Sequence, residues 1–387
     1  MKNVFHWSYI LLLTSYFIRF FNNTILEAEN LFFSLLLYSL IALSFVIHTK
    51  YKKSVCILII PFFLLFLELT GERISFFLIL YTFYIVKYCE IKFVIYSTLL
   101  FSITSVLVMI CLVGLGITEN IGKVFPGGFF ERGVRYDLGF GNPNSASLFL
   151  GSTLLLTIYV TKFHFSRNIQ VLVAFIGSFI IYTIFMVTGT MTLVICWVIF
   201  CLVIFFKNIL INNITIIFIR VFPLFILGLF YFMAINYNNN VVILIDIFTS
   251  GRIGLFRDYL VEFSVADQIF GSSRLISMMR ETHNPVDNVY NFIFLSNGLV
   301  GFIIFYVMYL KSVNHYFYIK DYLSMGIIIY YLFYGITELS FANISHFPHI
   351  LFWILLSRTN LPSENIVLSK NTLAFKVFSH SRISIAN

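Results

Sequence analysis

IQVLVAFIGSFIIYTIFMVTGTMTLVICWVIFCLVIFF, residues 169–206, runs for 38 residues without an Asp, Glu, Lys or Arg. As one α-helix it would be about 57 Å long, nearly twice the ~30 Å hydrocarbon core of a bilayer. The stretch therefore predicts two membrane-crossing helices that fold back at Thr188-Gly189-Thr190. The whole chain shares this character, being 60% hydrophobic, 19% aromatic and 11% charged. Soluble domains are about 45–50% apolar and about 25% charged, so the composition specifies an integral membrane protein.

Residues 1–387 read as a single all-α polytopic membrane unit, with about twelve transmembrane helices on a template of roughly 20 apolar residues each. Spans fall near 7–21, 31–48, 54–70, 73–86, 93–117 and 146–161. Others fall near 169–187, 190–206, 214–235, 289–310, 322–339 and 347–357. No small-residue cleavage site follows the first apolar run, which is read as a retained span. Cys56, Cys89, Cys111, Cys196 and Cys201 lie in or beside apolar runs without ligand-like spacing, as packing residues do.

The loop charges set a sidedness. With the N-terminus in the cytoplasm, fifteen cations fall inside, most of them lysines such as Lys50, Lys87, Lys162, Lys207 and Lys311. Eight fall outside: Arg73, Lys123, Arg132, Arg135, Arg252, Arg257, Arg274 and Arg280. This matches the positive-inside rule and puts the C-terminal tail, 358–387, in the cytoplasm. The net charge of +8 is thus topological, gathers on no soluble face, and implies no nucleic-acid partner. Two exterior loops, 118–145 and 236–288, hold most of the outside cations, and nearly all of these are arginine. Arginine offers a planar fork that holds phosphate bidentately, although pairing with neighbouring acids is the plainer use.

Loop 118–145 is glycine-rich and ends in Asn142-Pro143-Asn144-Ser145. Asn144 or Ser145 suits the N-cap of the span that follows, or Asn142 and Asn144 reach a ligand. In loop 236–288, Ser250 is placed to cap a helix reaching Phe263. Ile253, Phe256, Tyr259, Leu260 and Phe263 would form its apolar face, as an interfacial surface helix or a lid. Asp287-Asn288 stands where the next span needs a cap. Glu338 lies at the outer end of a span, and ionisable groups in spans are functional by default. His283, His346 and His349 are read on the same side.

With these motifs in order, the chain resembles the O-antigen polymerase (Wzy-type) and O-antigen ligase superfamily of bacterial envelope glycosyltransferases. The resemblance rests on span number, the two exterior loops, and Arg135-Tyr136-Asp137 followed by Asn142-Pro143-Asn144. Ser250-Gly251-Arg252, Gly271, and Asp287-Asn288 ahead of Gly298-Leu299-Val300-Gly301 complete it. Two departures matter. Asp287 stands where the ligase branch has histidine, which favours polymerase over ligase. The turn Thr188-Gly189-Thr190 lacks the arginine that many members carry.

The resemblance implies transfer of a growing glycan from one undecaprenyl diphosphate to a new lipid-linked repeat unit. The location implied is the outer face of the bacterial cytoplasmic membrane, and the product a capsule, exopolysaccharide or O-antigen. Arg135 and Arg252 are expected to hold the diphosphate, with Arg274 and Arg280 as further cations and Asn142, Asn144 and Asn288 as substrate contacts. The base is expected among Glu338, Asp287 and His283. No Asp-x-Asp pair stands in the loops, so no metal and no cofactor are expected. Partners would be the lipid-linked donor and acceptor, the bilayer, and a chain-length regulator. Ligase-type transfer of finished glycan to another acceptor, and transport of the lipid-linked oligosaccharide, are the competing readings.

Overall fold

The computed structural model describes residues 2–21, 82, 85–86, 88–120, 122–124, 134–206, 213–249, 251–272, 274–282, 286–339 and 349–357. The predicted spans at 31–48, 54–70 and most of 73–86, His283, His346 and the tail lie outside them. The described chain is mostly helical. Among the described residues, five helices are long and apolar enough to cross a membrane. They are α2 (Ile91–Gly114), α3 (Pro143–Thr161), α4 (Arg167–Thr188), α6 (Asn213–Ile235, apolar from Ile214) and α11 (Val289–Tyr318). Shorter apolar helices are α1 (Lys2–Phe21), α5 (Met191–Phe205), α12 (Tyr322–Tyr334) and α13 (Ile350–Ser357). Residues 169–206 do fold back, with Gly189 at φ 62° closing α4.

These helices form a bundle in which a broad apolar surface stays on the outside. Leu172, Phe175, Phe179 and Met186 of α4 are exposed, as lipid-facing side chains are. Inside, side-chain hydroxyls serve backbone groups that have no water to meet them. Pro223 within α6 has no N–H for the Ile219 carbonyl, and the Tyr309 hydroxyl of α11 donates to that carbonyl instead. Ser312 and Tyr316 donate to the Leu356 and Leu355 carbonyls near the C-terminus of α13, at 3.0 and 2.9 Å.

Polar groups collect at the two ends of the bundle. At one end Lys162 pairs with Asp321, whose carboxylate also caps α12 by accepting from Ser324 N at 3.2 Å. Arg167 donates to the Ile204 carbonyl at 2.9 Å and sits over the Tyr322 ring. At the other end lie the two loops singled out above. The first is not wholly irregular: β1 (Gly122–Val124) and β2 (Val134–Tyr136) pair antiparallel. The second folds as four short helices: α7 (Asn240–Phe248), α8 (Arg252–Glu262), α9 (Val265–Phe270) and α10 (Leu275–Thr282).

Helix α8 buries the expected face, with Ile253, Phe256, Tyr259 and Phe263 nearly inaccessible and Leu260 partly buried against them. Its start differs from the expected Ser250 cap. Gly251, at φ 81°, is the N-cap, and Asp246 of α7 accepts from Ile253 N at 2.7 Å. A glycine without a side-chain acceptor thus borrows one from the preceding helix.

Helix α9 ends against a break in α11. Gly298 has φ 68° and ψ −175° inside α11, and a Cβ there would stand 2.2 Å from the Ile269 carbonyl. A Cβ on Gly271 would likewise stand 2.2 Å from the Ser296 carbonyl. The two backbones meet where only glycine fits, and Ser272 N donates to the Leu295 carbonyl at 3.1 Å.

Candidate functional site

Strand alternation sends Val134 and Tyr136 outward and Arg135 inward. Arg135 is only 5% exposed. Its Nε donates to the Thr188 carbonyl at 2.7 Å, and its Nη2 to Asn144 Oδ1 at 2.6 Å and Thr190 Oγ1 at 2.9 Å. The turn between α4 and α5 therefore cradles the guanidinium. Gly189 allows the approach, since a Cβ there would lie 2.9 Å from Arg135 Cγ. The Thr-Gly-Thr turn has no arginine of its own, but it holds one from the preceding loop.

Asn142 caps α3 by accepting from Asn144 N at 2.8 Å, and Pro143 occupies the first helical position. Capping thus falls to Asn142 and not to Asn144 or Ser145. Asn144 is left for longer-range contacts, and its Nδ2 donates to Glu338 Oε1 at 2.5 Å. Glu338 stands outside a helix: α12 stops at Tyr334 rather than near 339, because residues 335–337 turn after Gly335. A chain Arg135–Asn144–Glu338 results, joining residues far apart in sequence.

The second arm comes from α8 and α11. Asn288 caps α11, its Oδ1 accepting from Tyr290 N at 2.8 Å and Asn291 N at 3.1 Å. Val289 N donates to the Gly335 carbonyl at 2.9 Å, which sets Asp287 and Asn288 beside the turn that carries Glu338. Arg252, the first residue of α8, reaches Asp287 Oδ2 through its Nε at 3.5 Å. Arg252, Leu255, Val286, Asp287, Asn288 and Asn291 line a small open cleft of about 210 Å³ including its mouth.

The two arms act on each other electrostatically. Burial pushes the Glu338 carboxyl up to about 8, and the Asp287 charge adds to this. The Arg252 and Arg135 charges and the Asn144 hydrogen bond pull the other way. Asp287 is also raised, by burial first, with Arg252 opposing. Two carboxylates and two guanidiniums from four separate segments thus lie within electrostatic reach.

Of the residues singled out in the sequence, Arg135, Asn144, Glu338, Arg252, Asp287 and Asn288 come together here. Asn142 stands behind them as a cap. Arg274 lies exposed at the start of α10, where its charge acts on Asp267. Arg280 belongs to α10, and His283 lies outside the described residues. His349 is fully buried with its Nδ1 2.9 Å from Ser152 Oγ, inside the bundle and not on the outer face. Sequence reading missed Thr188, Thr190 and Asn291. The last of these had a signal, since it lies one helical turn after Asn288. Compared with known family models, curated proteins and solved structures, the chain matches none.

Proposed function

We propose that the protein joins undecaprenyl-diphosphate-linked oligosaccharide repeat units into a surface polysaccharide. On this reading it crosses the bacterial cytoplasmic membrane twelve times, with both termini inside and the site on the outer face. The observation that supports it is the meeting of the Arg135–Asn144–Glu338 chain with Arg252 and Asp287 at one end of the bundle. A buried carboxyl tuned near neutrality suits a general base, and a partly buried arginine close by suits a phosphate leaving group.

The acceptor hydroxyl of one repeat attacks the anomeric carbon of the other. Its proton passes to Glu338 as the new C–O bond forms. The bond from that carbon to the diphosphate oxygen breaks, and the lipid diphosphate leaves with its electron pair toward Arg252. Burial of Arg135 among Thr188, Thr190 and Asn144 favours a role in orienting Asn144, which on this reading leaves Arg252 the larger share of the diphosphate.

Purified protein and synthetic lipid-linked repeat units should give a ladder of lengthened glycans, with or without a chelator. Failure to lengthen the cognate repeat would end this reading. Product only on a non-repeat acceptor would transfer it to the ligase class.

A further inference from the structure

The cleft beside Arg252 contains two buried amides with unmet hydrogen-bonding capacity. Asn288 and Asn291 are each 1% exposed, and Asn288 Nδ2 and Asn291 Oδ1 have no protein partner. The cap fixes the Asn288 carboxamide, because its Oδ1 already accepts from Tyr290 N and Asn291 N. Its Nδ2 is left for something other than the helix. One turn on, Asn291 lines the same cleft, and its buried Oδ1 is likewise unmet. A buried donor and a buried acceptor are costly to leave unmade, and together they describe the group that would satisfy them.

That group must accept a hydrogen bond and donate one. A sugar hydroxyl does both, and so does the amide of an acetamido sugar. A phosphate oxygen only accepts: it would meet Asn288 Nδ2 but not Asn291 Oδ1, and Asp287 on the same wall would repel it. Leu255, Phe256 and Val286 supply the apolar contact that the face of a sugar ring needs.

We infer that Asn288 and Asn291 form a subsite for one uncharged sugar, the ring next to the diphosphate, and read its hydroxyl or acetamido group. The inference rests on the lipid-linked glycan reading, and it divides the substrate between two neighbours. Arg252 holds the diphosphate at the rim, and the two amides select the sugar attached to it.

Three probes test this by native mass spectrometry of the detergent-purified protein. They are farnesyl diphosphate, the same lipid bearing one glucose, and the same lipid bearing one N-acetylglucosamine. Asn288→Ser keeps a good N-cap and neutrality but loses the second donor. Asn291→Leu removes the acceptor at similar volume and needs no cap. Each variant should weaken a sugar-bearing probe about 3- to 10-fold, the size of one neutral hydrogen bond, while farnesyl diphosphate changes by less than about 2-fold.

The sugar probe that loses more tells whether a hydroxyl or an acetamido group is read. Equal weakening of all three would place the diphosphate on the amides and overturn the subsite while leaving the functional reading standing. Unchanged binding of every probe would also overturn it. If the wild-type protein binds no probe, the functional reading and the subsite fall together.

Discussion

The amide of Asn144 has its oxygen on Arg135 and its nitrogen on Glu338, and this polarity is what Arg135 contributes to the site. A guanidinium on the oxygen forces the NH₂ group toward the carboxylate, where it favours the charged form. Glu338→Gln should therefore lower turnover about 10²- to 10⁴-fold, the usual contribution of a general base, measured as initial rate of glycan lengthening. With Glu338 titrating at about 8, wild-type rate should fall as pH drops through that value. Asn144→Leu removes the bond to the charged form, so it should move this limb to higher pH. A purely structural Asn144 would lower the rate without moving the limb. Stability has the opposite sense. A carboxyl raised from 4.5 to about 8 holds its proton longer folded than unfolded, so its contribution is full below about 4.5 and is lost by about 8. Thermal unfolding of Glu338→Gln should lack that decline.

At the scale of helices, two contacts are unusually specific. Gly271 and Gly298 each stand where a Cβ would strike backbone, and both have positive φ. Gly298→Ala or Gly271→Ala should each cost on the order of 3 kcal/mol, combining backbone strain with overpacking. Gly228→Ala in α6 is the control, since nothing lies within 4 Å of its Cβ position. Melting temperature in detergent separates them, and equal losses at all three positions would contradict the close approach. The Tyr309 bond to the Ile219 carbonyl gives a second test. Tyr309→Phe should cost about 1–3 kcal/mol by orphaning a buried acceptor. The cost should shrink when Pro223→Ala restores the helical N–H, so the double mutant is less than additive.

Across the whole molecule, the membrane-spanning reading puts the polar clusters at opposite ends of the bundle on opposite sides of a membrane. In a background without native cysteines, a cysteine at exposed Phe270 should react with an impermeant maleimide in intact cells. One at exposed Tyr318 should react only after permeabilisation. Labelling of both from one side would break the bundle reading. Much of this was legible from residues alone: the uncharged run 169–206, the apolar stripe from Ile253 to Phe263, and the position of Glu338 at the end of an apolar span. Local periodicity and charge encode such features directly. The partners were not legible, because they depend on distance across the fold. Nothing near Arg135 in sequence announces that Thr188 and Thr190 will surround it, and the cap at Asn142 looks no better than one at Asn144 until Pro143 is placed. Asp246 as the acceptor for α8 was hidden for the same reason.

The bond from Val289 N to the Gly335 carbonyl fastens the start of α11 to the end of α12, so Asp287, Asn288 and Glu338 ride on one plate. Arg135 and Asn144 belong to another, built from β2, α3 and the α4–α5 turn. Side-chain contact between the plates at this end includes the Asn144–Glu338 hydrogen bond. That hydrogen bond takes Glu338 Oε1 and leaves Oε2 of the same carboxylate open, so on the proposed reading an acceptor hydroxyl can meet Glu338 without parting the two plates.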